Sequence, residues 1–239
     1  MPPAPDFFNP IYYSLMKRDW LLRPFPGLDD IQVNYSQLHQ DMFVLSVLDG
    51  KRDGSYIEIG AAEPVFLSNT YLLESGFGWR GFSIELSAAH ARRHERMRRN
   101  KCHCQDATRA DYGALIAAAK LGKVIDYLSM DADPPPVTLA ALKAIPHDRH
   151  RFRVITFEHD YSSGGSAERD ESRRFLSALG YRLVVDDVAW GDYVVEDWWA
   201  HPDLTDTAIL EELACADRGV HEHDKYIYGA YRAGKSATR

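Results

Sequence analysis

From Ser55 to Trp199 the sequence alternates short apolar, β-branched runs with longer segments of helical period, and this rhythm constrains the fold more than any other feature. SYIEIG (55–60), GFSIEL (81–86), KCHCQ (101–105), VIDYLSMD (124–131) and RFRVITFEHD (151–160) read as strands. Between and after them FLSNTYLLESG (66–76), AAHARRHERMRRN (88–100), ADYGALIAAAKLG (110–122), PVTLAALKAI (136–145) and AERDESRRFLSALG (167–180) read as helices. Gly76, Gly122 and Gly180 supply stops, and prolines sit where a helix start tolerates them. YRLVVDDVAW and DYVVEDWW are separated by too few residues for a parallel crossover, so they predict an antiparallel hairpin. Apolar strands in alternation with helices need a parallel sheet covered on both faces. The expected fold is α/β: a Rossmann-like, mostly parallel seven-stranded sheet with a terminal antiparallel hairpin and helices on both faces.

The flanks read differently. Residues 1–34 are rich in proline and aromatics without a clear period, and are expected to form an arm or lid packed by Phe7, Phe8, Tyr12, Tyr13, Trp20 and Phe25. SQLHQDMFVLSVLDG (36–50) predicts a helix, with Ser36 as its N-cap. Residues 35–202 are expected to be the catalytic domain, and 203–239 an extension with one helical piece and a polar, basic end. A formal net charge of −7 argues against non-specific nucleic-acid binding. The basic run HARRHERMRRNK (90–101) reads as a solvated helix face. Three cysteines make no disulfide framework, no apolar run reaches a membrane span, and the start of the chain does not read as a secretory signal. A cytoplasmic protein, with a homo-oligomer as an option, is the expectation.

Carboxylates in apolar strands need partners. Glu58 precedes Gly60 at the end of the first strand, and Glu85 closes the second. In open α/β sheets ligands sit beyond the carboxyl ends of the strands, and an acid there can accept both hydroxyls of a ribose. Its distance from Gly60 is close to the roughly 20 residues of nucleoside-cofactor sites. A dinucleotide needs several glycines and free N–H groups against its pyrophosphate. Here the turn is Gly60-Ala61-Ala62-Glu63-Pro64, in which Glu63 repels a phosphate and Pro64 has no N–H. S-adenosylmethionine (SAM) carries a sulfonium and an ammonium instead, for which Glu58 is a suitable neighbour. Asp106, after the third strand, stands where an acid could accept the adenine amino group, or could simply cap a helix.

The stretch from Tyr35 to Glu85 resembles the opening of the FkbM-type SAM-dependent methyltransferases. The matching pieces are Ser36-Gln37, Gln40-Asp41, Glu58-Ile59-Gly60, Ser68-Asn69-Thr70, Gly78-Trp79-Arg80-Gly81 and Ile84-Glu85. IDYLSMDAD (125–133), ITFEHD (155–160) and LGYRLV (179–184) followed by VVEDWW resemble later motifs of that family. The resemblance implies SAM as donor and an oxygen nucleophile on a sugar or secondary metabolite. It assigns the cofactor to Glu58, Gly60, Ala61, Asn69, Glu85, Leu86, Asp106, Ala107 and Asp131. Pro64 and the turn Met130-Asp131-Ala132-Asp133-Pro134 depart from the family pattern.

Methyl transfer to oxygen needs in-line positioning and a place for the hydroxyl proton. Asp131 and Asp133 follow the fourth strand, and Glu158, His159 and Asp160 the fifth. One reading makes His159 a general base oriented by an acid. The other lets Asp131, Glu158 and His159 hold Mg²⁺ or a similar divalent ion, as in catechol-type O-methyltransferases. A non-catalytic SAM-binding or regulatory module is the alternative to an enzyme. Cys102-His103-Cys104 alternates faces and lacks a second thiol pair, so it reads as structural. HEHD (221–224) reads as solvated tail and SSGGS (162–166) as a loop beside the site. Trp190, Tyr193, Trp198 and Trp199 read equally as a pocket wall or as hairpin core.

Overall fold

The computed structural model describes residues 21–229. Most of the aromatic set expected in the arm therefore lies outside the described residues, while Phe25 is buried. The strands are β1 (Ser55–Ile59), β2 (Arg80–Glu85), β3 (Lys101–Cys104), β4 (Val124–Met130), β5 (Arg151–Glu158), β6 (Arg182–Trp190), β7 (Tyr193–Ala200) and β8 (His221–Glu222). The helices are α1 (Gln40–Val47), α2 (Tyr71–Phe77), α3 (Ala88–Met97), α4 (Tyr112–Ala118), α5 (Pro135–Ala144), α6 (Tyr161–Gly164), α7 (Ala167–Ala178), α8 (Thr207–Leu213) and α9 (His223–Ile227).

One sheet runs β3-β2-β1-β4-β5-β7-β6-β8. β1 to β5 are mutually parallel, while β7 is antiparallel to both β5 and β6. The first seven strands in this order, with a reversed β7, are the sheet of a Rossmann-like methyltransferase fold, as expected. The eighth strand was not. His221 and Glu222 pair in parallel with Val188 and Ala189. His221 is buried 3.4 Å from Asp186, so the HEHD segment is built into the sheet edge rather than solvated.

Two helices begin later than periodicity implies. α1 starts at Gln40 because Ser36 is tied up with Asp41. The Asp41 carboxylate accepts the Ser36 hydroxyl at 2.6 Å and the Tyr35 N–H at 2.9 Å, and His39 turns left-handed at the helix start. α2 starts at Tyr71, leaving residues 61–70 as an irregular loop with Ala62 and Leu67 at positive φ. That loop rests on Arg98, which donates to Pro64 O, Ser68 Oγ and Thr70 Oγ1.

Strand alternation sends one apolar set to each face. Tyr56, Tyr127, Val154 and Trp198 pack with α1, α8 and α9, and the Phe43 ring stacks on Trp198 at 4.6 Å. Ile57, Ile59, Phe82, Leu128, Phe157 and Trp199 pack with α4, α5 and α7. Trp198 and Trp199 are thus core residues, one on each face. Trp190 and Tyr193 remain exposed at the hairpin tip.

Candidate functional site

The carboxyl edge of the sheet opens between β1 and β4. Gly60 follows β1 at φ 79°, and its N–H donates to Ile84 O at 2.9 Å. The chain after β4 passes so close that a Cβ on Gly60 would lie 1.7 Å from Asp131 O. Glu58, one turn of the pleat earlier, is buried and accepts hydroxyls from Thr70 at 2.9 Å and Ser83 at 2.7 Å. Sequence placed Glu58 against a ligand ammonium; in the ligand-free protein its charge is met by this hydroxyl pair. Asn69 is buried beside it. Its amide N–H donates to Ser129 Oγ at 3.0 Å, and its carbonyl oxygen has no protein partner.

Glu85 ends β2. One carboxylate oxygen accepts the Ala62 N–H at 2.8 Å and the other the Ser87 N–H at 2.6 Å. It therefore joins the loop after β1 to the start of α3. Leu86 beside it is 74% exposed, although it is a leucine. Ala61 is buried under α3 and Ala107 against the sheet. Asp106 caps the turn 107–109, accepting the Thr108 N–H at 2.8 Å and its hydroxyl at 2.7 Å. These bonds, the hydroxyl first, hold the Asp106 carboxyl below its ordinary range. The capping use anticipated for Asp106 is present.

Further along the edge, three carboxylates fall in line. Met130 pairs with Phe157 and Glu158 pairs with Glu196, so Asp131, Glu158 and Glu196 follow one another across β4, β5 and β7. They lie in the same alternation as Ser129, Thr156 and Trp198, on the α1 side. Glu196 accepts the Trp198 indole N–H at 2.5 Å and a bond from Gln40 at the start of α1. The Asp131 carboxyl is pushed up to about 7 by burial and then by Asp133, Asp160, Glu58 and Glu85. The sequence reading missed Glu196. The signal was available: VVEDWW puts acids into an apolar strand, as SYIEIG does.

Glu196 carries a testable cost. Burial first, and then Asp131 and Asp197, push its carboxyl from 4.5 up to about 8, against the bonds from Trp198 and Gln40. Below the lower value both folded and unfolded chains hold the proton. Between the two values unfolding releases it, so stability falls as pH rises, by on the order of 1 kcal/mol per pH unit. Glu196→Gln is therefore expected to gain on the wild type in thermal midpoint from about pH 5 to about pH 8 and to run parallel above that. Parallel curves throughout would mean that the folded carboxyl is already ionised at low pH.

His159 is placed differently from expectation. It is fully buried; its Nδ1 accepts the Tyr161 N–H at 3.3 Å and its Nε2 lies 3.5 Å from Asp197 Oδ1. Both nitrogens are engaged, so the ring is not positioned as a base for a substrate. Nor does it form a metal site with Asp131 and Glu158. Among the described residues, the side chains close enough to share an ion are His159, Asp187 and Asp197. Arg173 already lies between those two acids, donating to Asp197 twice at 2.7 Å and to Asp187 at 2.7 Å. Burial would raise the Asp197 carboxyl, but the bonds from Arg173 and His159 outweigh it and hold it at about 2. A guanidinium fills the place a divalent ion would take, and no chemistry is derived through a metal here.

No family model and no curated protein matches the sequence. Solved structures do share its chain path. An rRNA-methylase candidate from Clostridium thermocellum is 12% identical at a TM-score of 0.49, over 72% of this chain and 99% of its own. TrmK from M. capricolum, solved with S-adenosylhomocysteine, is 10% identical at 0.47, over 68% of each chain. A TehB-like SAM-dependent methyltransferase from Corynebacterium glutamicum is 11% identical at 0.44, over 68% of this chain and 87% of its own.

Proposed function

We propose that the chain is a SAM-dependent methyltransferase acting on a hydroxyl oxygen of a small acceptor. The carrying observation is the edge between β1 and β2. A tight Gly60 turn, a Glu85 carboxylate bound only through backbone N–H groups and a buried Asn69 carbonyl lacking a donor surround one opening. This donor set fits SAM. Asn69 and Glu58 suit its ammonium, Glu85 its ribose hydroxyls, and the exposed Leu86 and Ala107 the faces of its adenine. Its negative charge does not fit a dinucleotide pyrophosphate.

Bound there, SAM supplies an electrophilic methyl carbon on a positively charged sulfur. The residues do the rest. Asp131, at the end of β4, has an affinity for protons near neutrality, where a general base is most effective. The acceptor oxygen bonds to the methyl carbon as the carbon–sulfur bond breaks. The hydroxyl proton passes to the Asp131 carboxylate, and S-adenosylhomocysteine leaves. His159 acts at a distance by fixing β5 against β7.

Calorimetric titration with SAM, S-adenosylhomocysteine and NAD tests the reading. SAM and its product are expected to bind and NAD to leave the signal flat. Glu85→Ala should weaken SAM by about 10- to 100-fold, the loss of hydrogen bonds to a charged group. Binding without turnover on any hydroxylated acceptor would favour the non-catalytic module, and absence of SAM binding would remove the proposal.

A further inference from the structure

The charge of the site beyond the cofactor is unbalanced. Asp131, Glu158 and Glu196 form one row across three strands, with Asp133 and Asp160 at its rim. Among the described residues none of the five is ion-paired with a basic side chain. The arginines near the edge are committed to other acids: Arg93 to Glu63, Arg169 to Asp170 and Asp187, Arg173 to Asp187 and Asp197. Chains with unpaired buried carboxylates are destabilised by them, so a persistent row implies something that neutralises it.

A metal ion is a poor candidate. Neighbouring strands stand about 5 Å apart, so the row spreads over about 10 Å. The one grouping tight enough for an ion lies elsewhere and holds Arg173. SAM neutralises part of the charge at the Glu58 end, where Asn69 offers a buried carbonyl oxygen with no protein donor. That oxygen accepts only N–H or O–H groups, which points to a ligand rich in donors rather than an anion. At the far end Tyr161, Trp190 and Tyr193 are exposed near the start of β7, and Tyr161 already carries Arg169 over its ring at 4.0 Å. Aromatic faces beside carboxylates are the usual surroundings of an organic cation.

Resting on the methyltransferase reading, we infer that the acceptor is a hydroxylated molecule bearing a basic nitrogen, such as an amino sugar or amino alcohol, held by its ammonium along the Asp131–Glu158–Glu196 row. Acceptors carrying phosphate or carboxylate are excluded by the same row. The crowding that raises the Asp131 and Glu196 carboxyls is relieved when the cation binds, so binding releases protons.

The experiment first confirms SAM binding by titration, which separates this inference from the reading beneath it. The SAM-saturated protein is then offered three pools of hydroxylated acceptors: amines, their N-acetylated counterparts and sugar phosphates. S-adenosylhomocysteine formation and the methyl mass shift are read in each. Turnover is expected to be at least about 10-fold higher in the amine pool, with KM rising as sodium chloride is raised, because salt screens the attraction. Glu158→Gln is expected to raise KM for the amine about 10-fold with a smaller change in kcat and an unchanged SAM Kd. The wild-type comparison stands by itself should that variant fold poorly. Equal or greater turnover of acetylated or phosphorylated acceptors overturns the inference. So does SAM binding with no amine methylated.

Discussion

Replacing Arg98 by alanine is expected to cost the fold about 3–5 kcal/mol, the usual penalty for leaving a buried charge without its partner. The Arg98 side chain is 1% exposed and ion-paired with Glu74, also buried, at 3.0 Å. Its remaining donors reach Pro64 O, Ser68 Oγ, Thr70 Oγ1 and Tyr56 OH, all at 2.9–3.1 Å. Burial would raise the Glu74 carboxyl, yet Arg98 and the Arg99 N–H hold it below its ordinary range. With a total stability of about 5–15 kcal/mol for a domain, the variant loses much of it. Urea unfolding reads the loss as a lower midpoint. The same arginine supports the loop 61–70 and, through Thr70, Glu58, so SAM affinity should fall in whatever fraction remains folded. Arg98→Lys is expected to recover little, because one ammonium cannot serve five acceptors in the plane of a guanidinium. A loss under about 1 kcal/mol in Arg98→Ala would mean that water enters and solvates Glu74.

How much of this was legible depends on the range of the interaction that fixes each part. The strands and their order could be read because burial imposes a two-residue period and short links forbid crossovers. Helix starts were misjudged where a side chain captured backbone groups first, as Asp41 does with Ser36 and Tyr35. Glu58, Gly60 and Glu85 were found because each sits at a strand end, a position that sequence marks. Their partners were not. Nothing in the order of residues says that Thr70 and Ser83 meet Glu58, or that Arg98 braces the loop from the far end of α3. His159 shows the limit most clearly. Its place after β5 suggested a base or a ligand, but its ring direction follows from Asp197 and Arg173, which arrive from β7 and α7. Glu196 was missed although the acid-in-apolar-strand criterion that singled out Glu58 applies to it equally. The difference is that it lies mid-strand in the hairpin, which was read as packing alone.

Gly60→Ala should abolish cofactor binding while leaving most of the sheet intact. The backbone at Gly60 is left-handed at φ 79°, and an added Cβ would stand 1.7 Å from Asp131 O and 3.0 Å from Ala132 Cα. Neither is the end of a flexible side chain, so the chain after β4 must retreat. That chain is tied by Asp131 N–H to Ile59 O at 2.9 Å, the bond that closes the edge between β1 and β4. The retreat moves Asp131 away from the opening and widens the turn that faces Asn69 and Glu85. SAM affinity is expected to fall by about 100-fold or more, equivalent to about 3 kcal/mol, with methyl transfer lost in parallel. Strain at a left-handed residue lowers stability by about 1–3 kcal/mol as well. Gly122→Ala separates the two effects. Its Cβ would meet nothing nearer than Val124 O at 3.8 Å, and its φ is ordinary, so it should bind SAM like the wild type. Were Gly60→Ala to bind SAM with unchanged affinity, the cofactor could not lie against this turn, and the carboxylates around it would need another explanation.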